Sequence, residues 1–120
     1  MNKIRFGLIG CGDIAHIRYF YSIPHFEEIE LVGIYDMNKP FLQKTAEELG
    51  VKAFNSYEEM LDDPTIDAVI VTTYHPSHTP LAIQALKAGK HVMCEKPMAK
   101  TTKEAQAMLD AAKRTGKKLT

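Results

Sequence analysis

The sequence predicts an α/β domain built on a doubly wound parallel sheet, and three observations carry that expectation. Short apolar runs alternate with segments of helical periodicity along the whole chain. The run Ala68–Val71 (AVIV) is apolar without alternation, as suits a strand covered by helices on both faces. Where the first apolar run passes into the first helical pattern stands Gly10-x-Gly12-x-x-Ala15, a glycine turn between strand and helix. At 120 residues, with 45% hydrophobic and 25% charged side chains, the chain is long enough for one such domain with a modest core.

Taken in order, Lys3–Ile9 is the first strand, and Gly10-Cys11-Gly12 the turn that follows it. A helix opens at Asp13, with Ile14, Ile17 and Tyr21 at the i, i+3, i+7 spacing of one face. Glu30–Tyr35 is the second strand, ending at Asp36. Asn38 caps a helix carrying Leu42, Thr45, Ala46 and Leu49, which Gly50 stops. Val51–Phe54 is a brief third strand. Ser56 with Glu59 three residues later forms a capping box for a short helix holding Met60 and Leu61, ended before Pro64. Ile66–Thr72 is the fourth strand. Thr79 followed by Pro80 suits an N-cap and first helical position, and the helix runs through Leu81, Ala82, Ala85 and Leu86 to Gly89. His91–Cys94 is the fifth strand. Thr101 and Glu104 form a second capping box, opening a helix with Ala105, Met108, Leu109 and Ala112 that stops at Gly116. Lys117–Thr120 reads as the start of a sixth strand, because the preceding helix has ended and the rhythm calls for one. Residues 1–120 are thus expected to be one domain cut from a longer protein, with the fifth strand as an unpaired edge.

Composition excludes several classes of function. Fifteen Lys and Arg balance fifteen Asp and Glu, so no net field draws the chain to nucleic acid or to an anionic membrane. No apolar run approaches the roughly 20 residues of a membrane-spanning helix. Lys3 and Arg5 break the N-terminal apolar run, so it lacks the apolar core of a signal peptide, and the expected location is cytoplasmic. Cys11 and Cys94 have neither CxxC nor zinc spacing and are expected to be small buried side chains rather than a disulfide.

Three motifs carry chemistry. In Gly10-x-Gly12-x-x-Ala15 the first glycine makes the tight turn, the second admits a pyrophosphate close to the backbone, and Ala15 lets helix pack on strand. The helix N-terminus at Asp13 then faces the phosphates with free N–H groups. Asp36 lies 21 residues beyond Ala15 at the end of the second strand, where a carboxylate accepts both ribose hydroxyls of an adenosine. It would repel a 2′-phosphate, so NAD is expected rather than NADP, although Lys39 could blur the preference. The second motif, Thr72–His78 (TTYHPSH), sits at the carboxyl end of strand four, beside strand one at the switch point of the sheet. It reads as a ligand loop or as plain connecting residues. Its two imidazoles, His75 and His78, have no marked third ligand, and no metal is expected. His16, His25 and His91 stand outside any motif, and only His16 lies near the expected site. The third motif is Glu95-Lys96-Pro97 at the end of strand five. Pro97 holds Lys96 out of the helical region, so the lysine could be aimed at a substrate oxygen and Glu95 could orient it or touch the cofactor. A solvated charged pair is the alternative.

Together, Gly10-x-Gly12-x-x-Ala15, Asp36, the segment ending in His78 before the Leu81–Gly89 helix, and Gly89–Pro97 (GKHVMCEKP) resemble the N-terminal domain of the Gfo/Idh/MocA oxidoreductase family over essentially all 120 residues. The resemblance implies a Rossmann fold that binds NAD or NADP, in an enzyme that oxidises or reduces sugars, cyclitols and related polyols by hydride transfer. By position it implies that Gly10, Gly12, Asp13 and Ile14 line the pyrophosphate and that Asp36 holds the adenine ribose. Thr73, His75 and His78 would border the dinucleotide, Glu95 and Lys96 the nicotinamide and substrate, with Lys96 as the catalytic lysine. Tyr74-His75 departs from the Pro-Asn common in the family. The second domain that completes the active site, and usually the homo-oligomer, has no counterpart in these residues, so the chain alone is expected to bind cofactor without turnover.

Two other readings fit parts of the pattern. A non-catalytic module that senses NAD(P) has no chemical need for Lys96. A methyltransferase also places an acid after strand two, but its glycine pattern differs and its chemistry makes no use of Glu95-Lys96-Pro97.

Overall fold

A computed structural model describes residues 2–120. Five parallel strands, β1 (Ile4–Ile9), β2 (Ile29–Tyr35), β3 (Lys52–Ala53), β4 (Ala68–Val71) and β5 (His91–Cys94), lie in the order β3-β2-β1-β4-β5. The chain steps outward from β1 to β3, then returns to the other side of β1 for β4 and β5. Strand order therefore reverses between β1 and β4, where a crevice opens at the carboxyl ends of the strands. Beyond β5 the last residues add to the sheet: Val92 N–H donates to Lys118 O (2.9 Å), Cys94 N–H to Thr120 O (2.7 Å), and Thr120 N–H to Val92 O (3.0 Å). This is the start of the sixth strand, and it corrects the expectation of an unpaired β5, whose Val92 and Cys94 N–H groups are already bonded.

Four α-helices flank the sheet: α1 (Lys39–Leu49), α2 (Tyr57–Asp62), α3 (His78–Lys87) and α4 (Thr102–Thr115). The caps of three match the sequence. Asn38 accepts from Phe41 N–H (3.1 Å), Ser56 from Glu59 N–H (3.0 Å) and Thr101 from Glu104 N–H (3.1 Å). Glu59 and Glu104 reach back to the backbone N–H groups of Asn55 and Lys100, one residue earlier than a capping box requires. Helix α3 departs from expectation. A 3₁₀ turn over His75–Ser77 runs straight into it, so Ser77 rather than Thr79 is the boundary residue and no side chain caps the end. The Thr79 hydroxyl turns instead toward Glu104 and Met108 on α4.

The first helix departs further. Ala15–Phe20 is π-helical, flanked by short α-helical ends, and a 3₁₀ turn over Ile23–His25 follows. With i→i+5 bonds, residues five apart share a face, so Ala15 and Phe20 are buried, with Ile23 after them. The expected face is the exposed one: Ile17 is 70% and Tyr21 72% accessible, and Ile14 is also exposed.

The core has two halves, one on each face of the sheet. Val69 and Val71 of β4 pack with Phe54, Met60, Leu86 and Met108, while Ile70 faces the other way toward Leu8, Phe20, Ile34 and Leu42. This explains the unbroken apolar run of β4. Gly7 and Gly33 face each other across β1 and β2 after a register shift at Phe6/Gly7. A Cβ on Gly7 would sit 2.7 Å from Met60 Sδ, and one on Gly33 2.5 Å from Phe54 Cε2. The two glycines thus let fully buried Met60 and Phe54 press against the strand backbone.

Candidate functional site

At the end of β1 the chain turns at Gly10, whose φ of +98° lies in the left-handed region. The turn is pinned from both neighbouring strands. Gly10 N–H donates to Tyr35 O on β2 (2.9 Å), and the Thr72 hydroxyl, just past β4, donates to Gly10 O (2.6 Å). A Cβ on Gly10 would lie 2.7 Å from both Thr72 C and Thr73 N. Glycine is therefore required at 10 by the fold itself.

Gly12 is different. A Cβ there would meet nothing within 4 Å, and its φ is not in the left-handed region. The fold does not need glycine at 12, whereas a phosphate lying close against the backbone would.

Beside this turn the Asp36 carboxylate is held by two backbone donors, Cys11 N–H on Oδ2 (2.9 Å) and Asn38 N–H on Oδ1 (2.8 Å). A carboxylate has acceptor capacity beyond two bonds, so Asp36 arrives oriented and still able to accept from hydroxyls. The Cys11 thiol lies fully buried beneath it, and burial, assisted by the Asp36 charge, pushes its pKa up to about 12. Burial and then the charge of Glu95 raise Cys94 to about 11. At pH 8 burial thus keeps both thiols in the protonated, unreactive form. Native protein is expected to resist iodoacetamide at both thiols, and urea-unfolded protein to be alkylated at both within minutes, as read by intact mass.

Gly10, Gly12, Asp36 and Thr73 line one groove of about 580 Å³ at the switch point. Its far wall comes from Tyr57 and Glu58 on α2 and from Leu81 and Gln84 on α3, residues for which the sequence offered no ligand motif. Among the described residues Asp36 and Glu58 are its charged ones, and no Lys or Arg lines it. Asp13 and Ile14 begin the helix beyond Gly12, exposed and outside the lining of the groove. His75 is exposed on the 3₁₀ turn after Thr73.

On the other side of β4, the strand-five motif is anchored by Glu95. Its backbone N–H donates to Val71 O (3.0 Å), and its carboxylate accepts from the Tyr19 hydroxyl (2.7 Å) and from Arg18 (3.5 Å). The Tyr19 bond, then the Lys96 N–H and the Arg18 and Lys96 charges, hold the Glu95 carboxyl below its ordinary value. Both partners come from the π-helix, 76 and 77 residues earlier in the chain. Lys96 is exposed and Glu95 is not. His78 stands behind both loops rather than in the groove. It is 1% exposed, with Nδ1 2.9 Å from Pro97 O and Nε2 2.8 Å from Thr73 O. Both ring nitrogens thus face backbone oxygens. Among the described residues no group of three or more His, Cys, Asp or Glu side chains is placed to hold a metal, and no helix is long and apolar enough to cross a membrane.

The family model for an oxidoreductase family with an NAD-binding Rossmann fold, Gfo/Idh/MocA, matches residues 4–120. The chain belongs to the Gfo/Idh/MocA oxidoreductase family. Glucose-6-phosphate 3-dehydrogenase of Bacillus subtilis is 38% identical over 114 residues, which are 95% of this chain and 31% of the relative. Myo-inositol 2-dehydrogenase of Thermotoga maritima is 34% identical over 112 residues, 92% of this chain and 33% of the relative. Among solved structures, the WlbA dehydrogenase of Bordetella pertussis, in complex with NADH and UDP-GlcNAcA, superposes with a TM-score of 0.90 at 37% identity, covering 97% of this chain and 35% of that one. KijD10, a 3-ketoreductase of Actinomadura kijaniata in complex with NADP and TDP-benzene, gives 0.91 at 30% identity over 97% of this chain and 36% of its own. The chain spans about a third of the length of the relatives it matches. The matched part is the family's NAD-binding Rossmann fold, in keeping with the parallel sheet and switch-point groove described above.

Proposed function

We propose that this family member binds NAD(H) in the switch-point groove, as the cofactor domain of an enzyme that moves a hydride between the nicotinamide and a sugar, cyclitol or related polyol. The observation that carries this reading is the open space over Gly12, where the fold itself does not call for glycine, beside an oriented Asp36. In it, Gly10 and Gly12 with the helix start at Asp13 and Ile14 receive the pyrophosphate, and Asp36 accepts the adenine ribose hydroxyls. Thr73 and His75 border the dinucleotide, and Glu95 and Lys96 lie toward the nicotinamide. When bound, the cofactor supplies the hydride. The chain's own contribution there is Lys96, a cationic donor for a substrate oxygen as negative charge develops on it.

Polyol-type chemistry is supported by the glucose-6-phosphate and inositol dehydrogenases among the relatives. NAD rather than NADP is supported by a groove with two acids and no basic residue. The relatives differ in this respect, one crystallised with NADH and another with NADP. As part of the same proposal, residues 1–120 by themselves bind cofactor without turnover, and the enzyme works as a homo-oligomer in the cytoplasm.

Calorimetric titration with NADH and NADPH tests the reading. NADH is expected to bind at least about tenfold more tightly than NADPH, a difference of about 1.4 kcal/mol. Asp36→Ala is expected to weaken NADH and erase the preference. Equal affinity for the two cofactors in both proteins would contradict the role given to Asp36.

A further inference from the structure

The sequence groups His78 with the dinucleotide-bordering residues, but its ring is buried behind them, and its contacts point to another task. Thr73 O belongs to the loop after β4 that walls the groove. Pro97 O belongs to the loop after β5, one residue beyond Lys96. Carbonyl oxygens only accept hydrogen bonds, so a ring nitrogen bonds its carbonyl only when it carries a proton: the neutral ring donates to one of the two oxygens and packs the other nitrogen against the second, and the imidazolium donates to both. Among the described residues His78 is the one side chain within hydrogen-bond distance of the backbone of both loops. On its other side the β5 loop is held by Glu95, bonded to Tyr19 and Arg18. The backbone of Lys96 is thus clamped on both flanks while its side chain stays exposed.

We propose that His78 is a positioning residue, a buried ring seated between the two loops that sets the distance between the groove wall at Thr73 and the backbone carrying Lys96, and so places Lys96 at the nicotinamide end of the bound dinucleotide. The inference rests on the dinucleotide reading of the groove. It needs no contact between His78 and any ligand.

Two variants of the chain test it: His78→Phe, which keeps a buried ring but no donor, and His78→Gln, which keeps an N–H donor. Each is titrated with NADH and with ADP-ribose, which lacks the nicotinamide, and amide hydrogen exchange is followed without ligand. In His78→Phe, exchange in residues 95–99 is expected to rise by about tenfold while the interior of α3 stays protected. ADP-ribose affinity is expected to hold within about twofold and NADH affinity to fall about tenfold, toward that of ADP-ribose. His78→Gln is expected to recover part of both losses. Equal weakening of the two ligands would mark His78 as a general fold residue, and unchanged NADH affinity with unchanged exchange would mark it as idle; either result overturns the proposal. A wild-type chain that binds neither ligand defeats the dinucleotide reading instead, and the two failures are told apart by that control. Should His78→Phe not fold, His78→Gln decides: NADH affinity that falls more than ADP-ribose affinity supports the proposal, and equal weakening of the two ligands, or no loss for either, overturns it.

Discussion

Gly10→Ala is expected to lower the unfolding free energy by about 3 kcal/mol and to weaken NADH binding at least tenfold in the same variant. Two costs add. A non-glycine residue at φ +98° is strained by about 1–3 kcal/mol, and its methyl group would sit 2.7 Å from the backbone of Thr72 and Thr73. Backbone cannot rotate aside as a side chain end does, so the β4 loop must move, and that loop is both the partner of the turn through the Thr72 hydroxyl and a wall of the groove. Thermal unfolding should show a midpoint lower by about 12 °C. A midpoint within about 2 °C of wild type would mean that the turn is looser than its hydrogen bonds to Tyr35 and Thr72 indicate.

Phe54→Ala is expected to cost about 4 kcal/mol, a large share of the roughly 5–15 kcal/mol that a domain of this kind has. Phe54 is fully buried, and its ring edge lies against Gly33 where a Cβ would stand 2.5 Å away. Neighbours can fill the vacated space only in part, because the strand backbone on one side is fixed by its pairing with β1 and β3. Gly33→Ala alone is expected to destabilise by about 1–3 kcal/mol through overpacking against that ring. In the Phe54→Ala background the same glycine change should cost less, though not nothing, because Lys52 O remains 2.8 Å from the added carbon. Urea denaturation of the four proteins measures the coupling. Additive losses would show that Phe54 and Gly33 do not press on one another.

What the sequence made legible is what depends on neighbours in the chain. The caps at Asn38, Ser56 and Thr101 bond three residues ahead, so their spacing announces them. The unbroken run at β4 announces burial on both faces. The glycine turn and Asp36 were readable because fixed offsets along the chain bring them to one groove. In the first helix Ile14, Ile17 and Tyr21 satisfy an α-helical period, whereas its middle follows the wider π register that buries Ala15 and Phe20. Thr79-Pro80 has the composition of a helix start, yet His78 begins α3, its ring held by carbonyls 5 and 19 residues away. The partners of Glu95 were invisible for a related reason: Tyr19 and Arg18 reach it only once β5 lies beside β4 and the π-helix crosses their ends. Asp36 carries a structural duty as well as the expected ligand role, because it accepts from Cys11 N–H inside the glycine turn. An Asp36→Ala titration should therefore be accompanied by a melting curve.

Gly12→Ala separates ligand binding from folding most directly, since the added methyl group meets nothing in the protein. Its effect on the groove is confined to the space where a pyrophosphate would approach the backbone. NADH titration of this variant beside wild type, with thermal midpoints for both, is the deciding measurement. The dinucleotide reading predicts an unchanged midpoint and an affinity lower by at least about tenfold. Tight NADH binding that survives Gly12→Ala would contradict it, because the cofactor would then lie somewhere other than against this turn.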